Sequence, residues 1–189
     1  MAGHMSSWAR RLARDELELP LPRRWAHSQG VAAAAIDLAA RLDCDRDLLI
    51  DAAILHDVGY APNIAATGFH PLDGARFLRE EHHAGDRLTR LVANHSFALL
   101  EAEERGLRDE LESEFPLLDD PLLVDALIYC DMTTSPDGTP TTATARVNEI
   151  VARYGPDTLV GRFIQRAAPE IQSAVSRIQD ATGGQPRYG

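Results

Sequence analysis

The stretch "AAILHDVGYAP", Ala52 to Pro62, places a histidine and an aspartate side by side at the end of an apolar run. Apolar residues precede the pair at helical spacing, which predicts a helix that ends close to it. Neighbours on a helix point about 100° apart, so His56 and Asp57 do not face each other and need separate partners. A carboxylate at the carboxyl end of a helix is disfavoured by the helix dipole unless a cation neutralises it. The pair therefore indicates a nearby cation.

The same spacing of apolar residues continues along the chain, and no segment alternates convincingly like a strand. The predicted fold class is all-α, a single-domain helical bundle. Residues 1–20 are expected to form an N-terminal segment, in which residues 1–4 resemble a cloning remnant. The helical domain is expected over 21–182 and a disordered tail over 183–189. Helices are predicted over residues 7–17, 22–42, 46–58, 71–82, 85–93, 96–105, 121–131, 142–154 and 157–181, with Pro71 and Pro121 suited to first helical turns.

Composition excludes several classes of protein. The 189 residues carry a net charge of −10, and all 19 basic residues are arginine. This balance opposes binding to polymeric nucleic acid or to an anionic membrane, since both depend on clustered positive charge. No apolar segment is long enough for a signal peptide or a membrane span, and Cys44 and Cys130 have no disulfide-framework spacing. We expect a cytoplasmic protein that acts on a small molecule; a homo-oligomer is left open.

Four polar residues share the apolar faces of their predicted helices: His27, His56, His95 and Asp131. An inward histidine is usually a hydrogen-bonded core residue, but a buried carboxylate must be paired, protonated or bound to metal. No arginine lies within four residues of Asp57 or Asp131 on either predicted helix, which leaves tertiary contacts with Arg24 or Arg146 open. A divalent metal held by imidazoles and carboxylates explains the whole set.

The ordered set resembles the HD-domain superfamily of metal-dependent phosphohydrolases. The matching residues are His27 in "RRWAHSQGVA", the adjacent His56 and Asp57, and Asp131 in "LIYCDMTT", over roughly residues 23–131. A histidine in the second helix, a His-Asp pair about thirty residues later and an aspartate ending a later helix are typical of that superfamily. The resemblance implies a metal centre.

Two more histidines resemble those of the two-metal members, which include the HD-GYP phosphodiesterases and the HD-type diadenosine tetraphosphate hydrolases. They are His70 in "GFHPLDGARFL" and His95 in "LVANHS". The resemblance implies one or two divalent ions, with iron, manganese, zinc, magnesium, nickel or cobalt as candidates. It assigns one metal to His27, His56, Asp57 and Asp131, and the other to Asp57, His70 and His95, with Asp57 as the bridge.

The implied reaction is hydrolysis of a small phosphorylated compound or nucleotide by a metal-activated water. Asp57 is the expected centre of catalysis. Arg24 and Arg146 are candidates to bind the non-reacting phosphate oxygens through their guanidinium forks, with surface salt bridges as the alternative. The G-Y-P triplet is absent, since "NHSFA" follows the last histidine, which disfavours cyclic dinucleotides. The polar stretch 132–144 is expected to border the pocket or to form an ordinary loop.

Two other classes of function stay open. The same six-ligand arrangement is found in mixed-valent di-iron oxygenases of the superfamily. These enzymes use dioxygen to cleave C–C or C–P bonds. A non-catalytic HD protein that binds metal or ligand is the other alternative. His82 and His83 lie among charged residues and are expected to be ordinary surface histidines.

Overall fold

The computed structural model describes residues 7–183, and within them the chain forms ten α-helices. Short 3₁₀ turns at Val58–Tyr60 and His95–Phe97 follow α3 and α5. The only β-type pairing among the described residues is an isolated bridge between Thr134 and Pro140. The all-α prediction is confirmed. The helices are Ser7–Leu17 (α1), Pro22–Ala39 (α2), Arg46–Leu55 (α3), His70–Glu80 (α4), Asp86–Asn94 (α5), Ala98–Arg105 (α6), Arg108–Glu114 (α7), Pro121–Met132 (α8), Ala143–Tyr154 (α9) and Leu159–Ala181 (α10).

Two details of the helix prediction were wrong. Helix α7 was not predicted, because its sequence is almost entirely charged and it buries only Leu111. Helix α6 begins at Ala98 and not at residue 96, since Ser96 and Phe97 have φ angles of 49° and 63° and cannot continue a right-handed helix. Residues 1–4 and 184–189, for which a cloning remnant and a disordered tail were predicted, lie outside the described residues.

Helix α8 is the central element of the fold. It packs against α2, α3 and α10, and nine of its twelve residues are buried. Helix α1 covers α2 and α3 and inserts the fully buried Ala9, Ala13 and Leu17. Pro71 and Pro121 lie in the first turns of α4 and α8, as predicted. None of the helices in the described part of the chain combines the length and the apolarity needed to cross a membrane.

Two close backbone contacts position the segments that carry the polar residues. The loop between α8 and α9 packs on α2 so tightly that a Cβ on Gly30 would lie 2.3 Å from the carbonyl oxygen of Gly138. Gly138 itself has a φ of +79°, a conformation that favours glycine. The turn after α3 packs equally tightly on α4, where a Cβ on Gly59 would lie 2.0 Å from the carbonyl oxygen of His70.

We expect Gly59→Ala to lower the free energy of unfolding by about 3 kcal/mol, because the backbones of the turn and of α4 must separate to admit the methyl group. The control is Gly85→Ala, since a Cβ on Gly85 meets nothing within 4 Å. Urea denaturation followed by circular dichroism measures both variants. Equal stability of the two would contradict the close packing of the turn on α4.

Candidate metal centre

The fold brings all six predicted metal ligands into one cluster, although they come from five separate places along the chain. Five of them are buried, and the sixth, His70, is 12% exposed at its side chain. Most lie where a helix begins or ends, so their side chains converge from different directions on one point in the core. The cluster consists of His27 in α2, His56 and Asp57 directly after α3, His70 at the start of α4, His95 directly after α5, and Asp131 near the end of α8.

Backbone carbonyl groups fix the orientation of three histidine rings. Nδ1 of His27 donates to the carbonyl oxygen of Ser135 at 2.9 Å. His56 and His95 each donate from Nδ1 to the carbonyl three residues earlier, at 2.8 Å and 2.6 Å. Because a carbonyl oxygen can only accept, Nδ1 carries the proton in all three rings and the neutral ring has its lone pair on Nε2. A histidine that ligates metal through Nε2 needs this arrangement.

Asp57 presents its two carboxylate oxygens to two different pairs of histidines. Oδ2 lies 3.4 Å from Nε2 of His56 and 3.9 Å from Nε2 of His27. Oδ1 lies 3.3 Å from Nε2 of His70 and 3.9 Å from Nε2 of His95. One carboxylate therefore lies between two sets of imidazole nitrogens, which is the geometry of a bridging ligand.

Asp131 joins the cluster through one oxygen and is held by a hydroxyl group through the other. Its Oδ1 lies 3.0 Å from Nε2 of His27 and 3.8 Å from Nε2 of His56. Its Oδ2 accepts a short hydrogen bond from the Ser96 hydroxyl group. The left-handed backbone of Ser96 directs this hydroxyl group to Asp131, a role that sequence reasoning missed because the residue was predicted to be helical.

The donor set fits divalent metal ions. Nε2 of His56 is completely buried and has no hydrogen-bond partner within residues 7–183, and Nε2 of His95 lies 3.1 Å from Nε2 of His70. A cation or a proton is needed to satisfy these nitrogens. Imidazoles with carboxylates are typical ligands of iron, manganese, zinc and similar ions. Three overlapping groups have ligand atoms within 4.8 Å of one another: His27, His56 and Asp57; Asp57, His70 and His95; and His56, His95 and Asp131.

The first two groups follow the predicted division into two metals, apart from Asp131. The third group places Asp131 with His56 and His95, across that division. The six side chains thus form one continuous site, and the assignment of Asp131 to a particular metal stays a prediction.

Arg24 supplies the tertiary cation that the sequence left open. Its Nη1 donates to Oδ2 of Asp57 at 2.7 Å, and its guanidinium lies 3.9 Å from the ring centre of Tyr60. The other face of Tyr60 stacks on His70, also at 3.9 Å. Burial would raise the pKa of Asp57, but Arg24 and His56 hold it well below its usual range. The carboxylate is therefore ionised, as a metal ligand must be.

Helix α4 begins at His70 because Asp73 organises the loop in front of it. The buried Asp73 carboxylate accepts hydrogen bonds from the backbone N–H groups of Ala66, Thr67 and Gly68. This role was not predicted, since an aspartate in a first helical turn is common. His82 and His83 lie outside the cluster. Contrary to expectation, His82 is half-buried, packing edge-on against Trp8 and Phe77, whereas His83 is exposed.

A cavity of about 170 Å³ opens beside the cluster. Arg24 and Arg146, the two predicted phosphate-binding residues, both line it. Arg146 is 5% exposed, and its Nη1 donates to Glu149 at 2.5 Å. Of the stretch 132–144, Met132 lines this cavity. Helices α9 and α10 supply an apolar part of its wall through Ile150, Val160, Phe163 and Ile164.

The metal-free protein is expected to lose about 3 kcal/mol of stability as the pH rises from 6.5 to 9. Burial would lower the pKa of His56, but the Asp57 and Asp131 carboxylates outweigh it and raise that pKa from 6.5 to about 9. A raised pKa contributes stability that is complete below pH 6.5 and lost as the pH passes 9. His70 and His95 have pKa values lowered by burial, so both are neutral in this window.

Urea denaturation of chelator-treated protein at several pH values measures this slope. The variant His56→Gln is the control, since it lacks the titrating ring and should give a flatter profile. A stability that increases from pH 6.5 to 9 would contradict the assignment.

Residues 24–132 match the HD domain family, and this segment is more than half of the 189-residue chain. It contains all six residues of the cluster, and its bounds agree with the resemblance found in the sequence. Helices α9 and α10, which supply the apolar wall of the cavity, follow the matched segment. No curated protein and no solved structure matches the chain. The chain belongs to the HD-domain family, most of whose members are metal-dependent hydrolases.

Proposed function

We propose that this protein is a metal-dependent phosphohydrolase that acts on a small phosphorylated compound or nucleotide. The observation that carries the proposal is the position of Asp57, whose two oxygens face separate pairs of histidines. Such a carboxylate can hold two divalent ions close together, an arrangement suited to in-line displacement at phosphorus. The proposed ligands are His27, His56, Asp57, His70, His95 and Asp131.

Metal ions bound by this cluster would supply Lewis-acid stabilisation and a water of lowered pKa. The chain supplies the positioning groups. The backbone carbonyls hold three imidazoles with Nε2 inward, and Ser96 holds the carboxylate of Asp131. Arg24 orients Asp57 and lines the cavity, so its guanidinium can also donate to a phosphoryl oxygen.

Arg146 is the second proposed phosphate ligand. It is buried at the cavity wall. Because the dielectric constant is lower there than in water, an arginine attracts an anion more strongly. The net charge of −10 favours a small substrate over a polymeric nucleic acid, since the positive charge is local to the cavity. Cys44 and Cys130 are reduced thiols, which suits a reducing compartment, and we propose a cytoplasmic location.

The test is a metal analysis of the purified protein combined with a screen of nucleotides and phosphate esters. The screen is run with iron or manganese, in air and without dioxygen. We expect release of inorganic phosphate that does not require dioxygen and that is lost after chelation. Iron content with substrate-dependent dioxygen consumption would instead assign the chain to the oxygenases. A metal-replete protein that leaves the whole panel intact would favour a binding protein.

A further inference from the structure

A second cavity of about 270 Å³ lies beside the first one. The two cavities share Arg24, His27, Arg146 and Arg153 in their walls, so these four side chains separate them. The remaining wall of the second cavity comes from residues 20–23 and Pro136. The second cavity therefore adjoins the metal centre at the shared side chains.

The second cavity is lined by four arginines, Arg23, Arg24, Arg146 and Arg153, and no acidic side chain among residues 7–183 lines it. The first cavity, in contrast, is lined by three carboxyl groups as well as arginines. This concentration of positive charge occurs in a chain whose net charge is −10. An anion is the ligand that such a wall attracts.

The carboxylates around this wall do not match the arginines one to one. Arg23 pairs with Asp137 at 2.7 Å. Arg146 and Arg153 share the single carboxylate of Glu149, at 2.5 Å and 3.3 Å. Arg24 is paired with Asp57, which already serves the histidine cluster. The positive charge at the partition between the cavities therefore exceeds its local compensation.

Arg146 gives independent evidence that a ligand belongs here. The residue is only 5% exposed, yet its Nε has no hydrogen-bond partner among the residues that the structure describes. A buried donor that is left unpaired destabilises the folded protein, so arginines in cores normally have all their N–H groups satisfied. A buried guanidinium whose Nε is left unpaired at the junction of two cavities fits a site that is completed by an anionic ligand.

We propose that the second cavity is an anion subsite and that the substrate carries two phosphate groups. The reacting phosphate lies at the metal centre, and the second phosphate lies in the arginine-lined cavity. Arg153 and Arg23 then determine substrate specificity, whereas the metal ligands determine the reaction. The inference rests on the proposed function only for the position of the first phosphate.

Matched pairs of ligands test the subsite: adenosine 5′-monophosphate against adenosine 3′,5′-bisphosphate, and fructose 6-phosphate against fructose 1,6-bisphosphate. The metal-replete protein is titrated at constant ionic strength, and KM and kcat are measured for any ligand that is hydrolysed. We expect at least one bisphosphate to bind about tenfold tighter than its monophosphate partner. Arg23→Gln, whose side chain lines only the second cavity, should reduce this preference at least fivefold, with a smaller loss of monophosphate binding.

Arg153→Gln should also reduce the preference. The control is Arg177→Gln, since Arg177 pairs with Asp125 and lines neither cavity. Equal affinity for both members of both pairs would overturn the inference, as would an equal loss for monophosphate and bisphosphate in Arg23→Gln. Binding of a bisphosphate with this preference but without hydrolysis would support the subsite and count against the proposed hydrolase, so the two failures are distinguishable.

Discussion

Asp57→Ala is expected to remove the bound metal and to lower the proposed phosphohydrolase activity about 1,000-fold or more, with the helical content largely unchanged. The carboxylate is the only side chain whose two oxygens face both histidine pairs among the described residues, so both metal positions lose a ligand together. A 1,000-fold loss corresponds to about 4 kcal/mol of transition-state stabilisation. Bound metal ions stabilise transition states by several kcal/mol, so their removal accounts for a loss of this size.

Metal content by elemental analysis, phosphate release and far-ultraviolet circular dichroism measure the three quantities. The matched control is Asp125→Ala. Asp125 is a buried aspartate of α8 that also pairs with an arginine, Arg177, but it lies outside the cluster. That variant loses a salt bridge and should keep its metal. Full metal occupancy in Asp57→Ala would refute the assignment of the site.

His70→Ala is expected to lower the metal content from two ions to one for each chain and to reduce activity at least 100-fold. His70 faces Oδ1 of Asp57 and Nε2 of His95, on the side of the cluster away from His27. The opposite side keeps His27, His56 and Asp131 with their hydrogen bonds to the backbone and to Ser96. One metal should therefore remain, although a single ion cannot stabilise both the attacking and the leaving oxygen.

The change in stoichiometry is measured by elemental analysis after equilibration at a fixed free metal concentration. His82→Ala is the control, because His82 is another half-buried histidine but packs between Trp8 and Phe77, outside the cluster. If His70→Ala lost both ions, the cluster would behave as one indivisible site. If it kept both, His70 would not be a metal ligand.

The parts of the site that could be predicted are those encoded by local pattern. His27 and Asp131 lie on apolar helix faces and His95 directly follows one, so helical periodicity directs all three to the core, where they are found. The adjacent His56 and Asp57 could be placed because the end of a helix is visible in the sequence. His70 is different, since it follows a loop and only its resemblance to the two-metal members indicated it.

The parts that could not be predicted depend on contacts between distant segments. Arg24 neutralises Asp57 from thirty-three positions away, and no periodicity relates the two residues. The hydroxyl group of Ser96 reaches Asp131 only because its backbone leaves the helical region. Tyr60 lies between Arg24 and His70. Nothing in its sequence context distinguishes it from an ordinary aromatic residue. Such pairings are decided by tertiary packing, which outweighs local propensity.

The contact between Gly30 and Gly138 has a consequence for how the protein could be redesigned. The reacting groups are encoded before residue 132, whereas the apolar wall and two of the four cavity arginines come from the segment after it. Transplanting that later segment between relatives should exchange the choice of substrate while the chemistry is conserved. The graft succeeds only with glycine at both contact positions, since any larger side chain would push the loop, and with it the carbonyl that orients His27, away from α2. The junction of such a chimaera therefore lies near residue 132, with Gly30 kept in the earlier segment and Gly138 in the later one.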